Sequence, residues 1–207
     1  KGLKKEEWKY KNKVQIILRS QHNIDSEVFK YVMANKADFE KSVGKDAMKA
    51  YTETVFETAI QDVTASHEED QYNKLKGDMN KYLGDKAPEM IAFLDMNYYF
   101  GTEEDLKYMN NYLMNYCKDA NMLNSLAWRT FENETDKKRL KAALNWADKS
   151  VSLNKSWYNM DTKANLEYKL GKKKAALKTA EEAVTIAKAS GEDPAETEDL
   201  IKKIKGK

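Results

Sequence analysis

Catalysis needs nucleophiles, acid–base pairs, metal ligands or phosphate cradles at workable spacing, and few residues of this sequence qualify. The two histidines, His22 and His67, stand in no HxxxH, HxH or ExxH arrangement, so they do not make the paired ligands of a zinc site. The carboxylates of His67-Glu68-Glu69-Asp70 lack the spaced oxygens and central glycine of a calcium loop, and they read as a solvated helix start. Cys117 is the single cysteine, which excludes an internal disulfide, a CxxC pair and a cysteine-built zinc site. A nucleophilic Cys117 would need a base and an electropositive setting. It instead continues the apolar series Leu106, Met109, Leu113, so a buried structural thiol is expected. No GxSxG, Walker A or GxGxxG motif occurs, and Asp and Glu are too common on helix surfaces to nominate an acid and a base. The expectation is a protein with no catalysis of its own and no cofactor or metal.

The elements that would position any site are helices. Eight Gly and two Pro in 207 residues leave little turn punctuation, and Lys, Ala, Glu, Asn, Leu and Met dominate. Lys and Arg number 36 against 34 Asp and Glu, with the signs interleaved, so there is no electrostatic case for nucleic acid. No apolar run approaches the ~20 residues that span a bilayer, and no membrane span is expected. The chain starts at Lys1 with neither an initiator Met nor an apolar leader, which points to a processed protein or a fragment with more sequence upstream.

Apolar spacing predicts a first helix over Glu6 to Gln21, carrying Trp8, Val14, Ile17 and Leu18. Asp25 or Ser26 caps a second with Val28, Phe29, Val32 and Met33, followed by a short turn holding Phe39 and Val43 before Gly44. A long helix from Asp46 breaks near His67, and another over 69 to 83 ends at Gly84. Pro88 opens the next, which Gly101 closes, and Thr102 with Asp105 reads as a weak capping box for a helix carrying Leu106 to Cys117. The last helix starts at Asp193-Pro194-Ala195-Glu196 and carries Leu200, Ile201 and Ile204. About eleven helices and no strands are expected.

Two stretches are copies of one another. AALNWADKSVSL (142 to 153) aligns on AALKTAEEAVTI (175 to 186) with every match displaced by 33 residues. Ala143, Leu144, Ala147 and Val151 thereby match Ala176, Leu177, Ala180 and Val184. Behind Gly171, an Ala stripe of Ala175, Ala176, Ala180 and Ala183 would let another backbone come close. A looser upstream copy matches Leu94, Tyr98, Gly101, Leu106 and Leu113 to Ala164, Tyr168, Gly171, Ala176 and Ala183.

Segment 123 to 187 resembles tetratricopeptide repeats, whose period is about 34 residues. Ala164, Gly171, Ala176, Ala180 and Ala183 fit the family's small-residue positions, and Lys155 stands where a closing Pro is common. Glu167 departs from the usual apolar or aromatic residue, and ENETDKK (132 to 138) lengthens one turn. The resemblance implies an all-α, right-handed alpha-alpha superhelix of tetratricopeptide-like repeats over residues 88–207 with a C-terminal capping helix, and an irregular helical part over 1–87. It also implies a concave wall for a protein or peptide partner, formed by Asn121, Asn124, Trp128, Tyr158, Asp161, Asn165, Tyr168 and Lys169. Tyr98, Tyr99 and Asp95 would extend that wall. Amides there suit an extended peptide, because asparagine both donates and accepts.

A second resemblance rests on the run NSLAWRTFENETDKKRLKAALNWADKSVSLNKSWYNMDTKANLEYKLGK, together with 25 to 48. It looks like the helical C-terminal region of bacterial secreted thioredoxin-family proteins. That implies an exported, periplasmic setting and a redox domain with its CxxC upstream of this chain, to which these helices would be accessory in cis. A homo-oligomeric assembly element is a third reading. Lys172, Lys173 and Lys174 form a short basic run that could invite an acidic partner, but three charges fall short of a block and the run reads first as a solvated helix start.

Overall fold

The computed structural model of the chain describes Trp8 and residues 11–206. Among the described residues the fold is all-α, with twelve α-helices and no strand. They form two compact units, one ending at Asp105 and the other starting at Leu106.

The first unit contains α1 (Lys11–Ser20), α2 (Glu27–Ala34), α3 (Lys36–Val43), α4 (Lys45–Ser66), α5 (Glu69–Tyr82) and α6 (Ala87–Tyr98), with a 3₁₀ turn at Gly84–Lys86. Residues 6, 7, 9 and 10 of the predicted first helix lie outside the described residues. Ser26 caps α2 as expected, its Oγ accepting from the Phe29 N–H at 3.0 Å. Phe39 and Val43 lie on a helix, α3, where a turn was expected. The Asn35 carbonyl that closes α2 accepts at once from the Asp38 and Phe39 N–H groups, so a new helix starts without a loop, and Phe39 is buried.

The core of this unit is aromatic at its centre. Phe29 lies 5.5 Å from Tyr82, 6.2 Å from Phe56 and 6.4 Å from Tyr51, measured between ring centroids. The fully buried Phe29 and Phe56 each contribute about 1.5–3 kcal/mol by this burial. α4 ends at His67, a non-glycine residue at φ 55°. Tyr98 holds it there, donating its hydroxyl to the His67 carbonyl at 3.1 Å and packing edge-on against the imidazole. α6 packs on α4 and α5, with Met90 and Leu94 in this core. The sequence had instead grouped it with the repeats that begin at residue 88.

The second unit contains α7 (Asp105–Asn115), α8 (Ala120–Asn133), α9 (Lys137–Leu153), α10 (Trp157–Lys169), α11 (Lys173–Ser190) and α12 (Ala195–Lys205). α8 packs on α9 and α10 on α11 as sequence-adjacent pairs. α9 also packs on α10, α11 on α12, and the alternate helices α8, α10 and α12 meet in that order. The seam between them is lined by methyl groups. Ala127, Ala143, Ala147, Ala164, Ala176 and Ala180 are fully buried and Ala183 nearly so, which permits interaxial distances toward the lower end of the ~8–10 Å range. Ala175 faces solvent and is no part of the stripe.

The turn between α10 and α11 requires a glycine. Gly171 sits at φ 78°, its N–H donating to the Tyr168 carbonyl and the Lys172 N–H to the Glu167 carbonyl. This double bond pattern ends a helix and satisfies its last carbonyls. Glu167, out of pattern for the repeat, is buried and accepts from the Thr179 hydroxyl at 2.8 Å.

Polar groups fix how these helices meet. Lys149 donates to the Leu113 and Met114 carbonyls at 2.8 and 2.9 Å, placing a cation at the negative end of α7. Trp146 donates from Nε1 to Asn110 Oδ1 at 3.0 Å. Ser150 and Asn159 have no exposed surface. Ser150 donates to the Ala120 carbonyl, and Asn159 donates to Ser150 Oγ and to the Asn154 carbonyl. Asn159 Oδ1 accepts the Ser156 N–H at the start of α10. Cys117 is buried as expected, with Sγ near the Asp119 carbonyl and Met122 Sδ.

Candidate functional site

The nominated groove residues lie on two helices of the second unit, Asn121, Asn124 and Trp128 on α8 and Tyr158, Asp161, Asn165, Tyr168 and Lys169 on α10. The fold brings them together, and it uses most of them to join one helix to the next. Tyr158 donates its hydroxyl to Asn121 Oδ1 at 3.0 Å. The next step repeats the arrangement, with Thr197 of α12 donating to Asp161 Oδ1 at 2.6 Å. Asn165 donates to the Asp161 carbonyl and to Asp161 Oδ2, both at 3.0 Å. At the far ends of these helices, Lys169 donates to the Phe131 carbonyl and sits 5.0 Å above the Phe131 ring. Lys203 sits 5.6 Å above the Tyr168 ring. Tyr168 also packs on the Ala164, Ala180 and Leu200 cluster, and Trp128 on Phe131 at 5.0 Å.

Asn124 stands apart. It is half-buried, and its Oδ1 is shielded from solvent with no hydrogen-bond partner, a state that costs about 1–3 kcal/mol. Thr197 and Phe131 escaped the sequence reading. The signal for Thr197 was its position about one repeat beyond Asp161, which extends the alternate-helix series into α12.

Burial is the main cause that lifts the Asp161 carboxyl above the ordinary aspartate range, and Glu196 adds to it. Hydrogen bonds from Thr197 and Asn165 pull the other way. A carboxyl raised in the folded state holds its proton more tightly there than in the unfolded chain. Its contribution to stability is therefore greatest at low pH and is lost as pH rises from the ordinary aspartate value through the raised one. Asp161→Asn is expected to gain stability relative to the native chain across that window. Denaturant melts at a series of pH values check this, and a difference that does not change with pH contradicts it.

In the first unit, Tyr72 donates to Asp95 Oδ1 at 2.7 Å, and Lys76 donates to both at 2.9 and 3.0 Å. Burial, then the Asp95 bond, push the Tyr72 phenol above its ordinary range, so it serves as a neutral donor. Asp95 is buried there, while Tyr98 stacks on Tyr72 at 4.3 Å, so these aromatics pack within the unit. A cleft of about 400 Å³ is lined by Lys36, Glu40, Lys45, Lys49, Tyr82 and Lys86 among others. Two more of about 590 Å³ each flank the Lys74–Asp25 ion pair at 2.6 Å. His22 lines one of them, with its Nε2 on the Leu18 carbonyl. Lysines and carboxylates are mixed along these walls.

Among the described residues no group of three or more His, Cys, Asp or Glu side chains is placed to hold a metal ion, and no helix is long and apolar enough to cross a membrane. Compared with protein-family models, curated proteins and solved structures, the chain matches none.

Proposed function

We propose that the second unit is a tetratricopeptide-like array, a right-handed superhelix of helical hairpins, and that it is a non-catalytic module for binding a protein or peptide. One observation carries the reading. Alternate helices α8, α10 and α12 pack side by side, joined at successive steps by Tyr158 to Asn121 and by Thr197 to Asp161. A stack of hairpins that shares its core between neighbours leaves the alternate-helix face as one broad surface. Trp128 and the part of Tyr168 that Lys203 leaves uncovered supply contact area on it, and the Asn124 Nδ2 and the Asn165 amide supply hydrogen bonds that orient an extended chain.

The test is a peptide library displayed against the whole chain. Peptides that bind should lose about tenfold or more in affinity to the Asn124→Ala, Asn165→Ala double variant. The melting temperature should hold or rise, because Asn165 bonds within its own helix turn and truncating Asn124 removes a shielded oxygen that has no partner. A large fall in melting temperature makes these two residues structural and removes them from the binding face.

A further inference from the structure

The last turn of α10 is ringed by ammonium groups. Lys169 lies on that turn, and the chain reverses through Gly171 so that Lys172, Lys173 and Lys174 start α11 beside it, with the Lys172 N–H bonded to the Glu167 carbonyl at 2.8 Å. α12 brings its own last turn to the same place, with Lys203 over the Tyr168 ring and Lys202 next to it in sequence. All six lysines are exposed. The nearby carboxylates offset one of the six. Asp199 is paired with Lys202 at 2.7 Å, and Glu167 is buried against Thr179.

The arrangement is electrostatically unfavourable on its own. The first turn of α11 carries no acidic residue and its N-cap no side-chain bond, so three lysines crowd the positive end of an eighteen-residue helix. An anionic partner relieves that repulsion.

We infer that this lysine cluster, at the junction of α10, α11 and α12, is the docking surface for an acidic segment of a polypeptide. The inference rests on reading the unit as a protein-interaction module, and it adds the charge of the partner. A bilayer surface is less suited, because docking there combines charge with apolar side chains that insert. The exposed large apolar residues Ile16, Phe100 and Leu153 lie elsewhere in the sequence. Nucleic acid is less suited too. The cluster holds no arginine fork for phosphate, and the Tyr168 face on which a base would stack lies under Lys203.

The test uses the whole chain and a short labelled peptide of alternating glutamate and glycine, with its glutamine counterpart as control. The glutamate peptide should bind about tenfold or more tightly than the control, and high salt should abolish the difference. Reversing the three charges at once (Lys172→Glu, Lys173→Glu, Lys174→Glu) should weaken binding by about tenfold or more. Acidic residues at a helix N-terminus favour the helix, so the melting temperature of this variant should hold or rise, which separates lost binding from lost folding. Binding that changes by less than about twofold on charge reversal overturns the inference. So does tighter binding to phosphatidylserine vesicles or to a DNA duplex than to the peptide. A library peptide that needs Asn124 and Asn165 but ignores the three reversals leaves the groove reading standing and this one overturned.

Discussion

Trp146→Ala is expected to destabilise the second unit by about 3–5 kcal/mol, the range for emptying a buried aromatic site. Trp146 is 1 % exposed and heads the fully buried side chains by volume. Its indole is also the donor to Asn110 of α7, so truncation removes packing and leaves an acceptor without its donor. Against the ~5–15 kcal/mol that holds a domain of ordinary size together, that loss is about a fifth or more of the total. Urea melts followed by far-ultraviolet circular dichroism measure it, and amide exchange along α7 should accelerate more than along α11. Trp146→Phe keeps most of the ring and removes the hydrogen bond, so it should cost much less. A cost below about 1 kcal/mol for the alanine variant would mean that the indole is not the centre of this core.

The second large effect concerns the seam. Ala143 on α9 and Ala176 on α11 are both fully buried and are displaced from one another by one repeat. Leucine at either position has to push helices apart or leave its rotamer, at about 1–3 kcal/mol. Because the two sites are copies, the two variants should lose similar amounts. Ala175, the exposed neighbour of Ala176, supplies the control, and leucine there should change stability by no more than about 0.5 kcal/mol. Equal costs at 175 and 176 would contradict the close approach of the helices. Melting temperatures of the three variants, measured side by side, decide the matter.

Helices were legible where the chain carries its own punctuation. Ser26 bonds the Phe29 N–H, Pro88 lies in the first turn of α6, and Gly171 sits at positive φ in the turn that ends α10. The Ala pairs at a displacement of 33 gave the seam, since a methyl group that recurs at the same point of a helix is cheap to explain by burial and hard to explain otherwise. The break between α2 and α3 was not legible. Asn35 closes one helix and opens the next with no glycine or proline to mark it.

The nominated residues were legible as neighbours on α8 and α10 and not as a set of unoccupied side chains. Type and position cannot tell whether Asp161 meets solvent or the hydroxyl of Thr197, about 36 residues later. That depends on α12 taking its place beside α10, a tertiary event with weak sequence marks. Asp193 illustrates how weak. It was expected at the cap with Pro194 in the first helical position, whereas α12 begins at Ala195 and Asp193 bonds the Ala195 N–H from one residue further out.

Ser150 and Asn159 lie within a boundary otherwise filled by methyls, and their needs are met in one alignment of α8, α9 and α10. If α9 slid a turn along α8 and α10, apolar contacts would survive in altered form, since alanine meets alanine almost as well in either position. The hydroxyl and amide would not survive it, because the Ala120 and Asn154 carbonyls would be out of reach and each stranded group would cost about 1–3 kcal/mol. Two small polar side chains thus select the correct nesting from near-equivalent alternatives that a greasy zipper of identical steps could not tell apart.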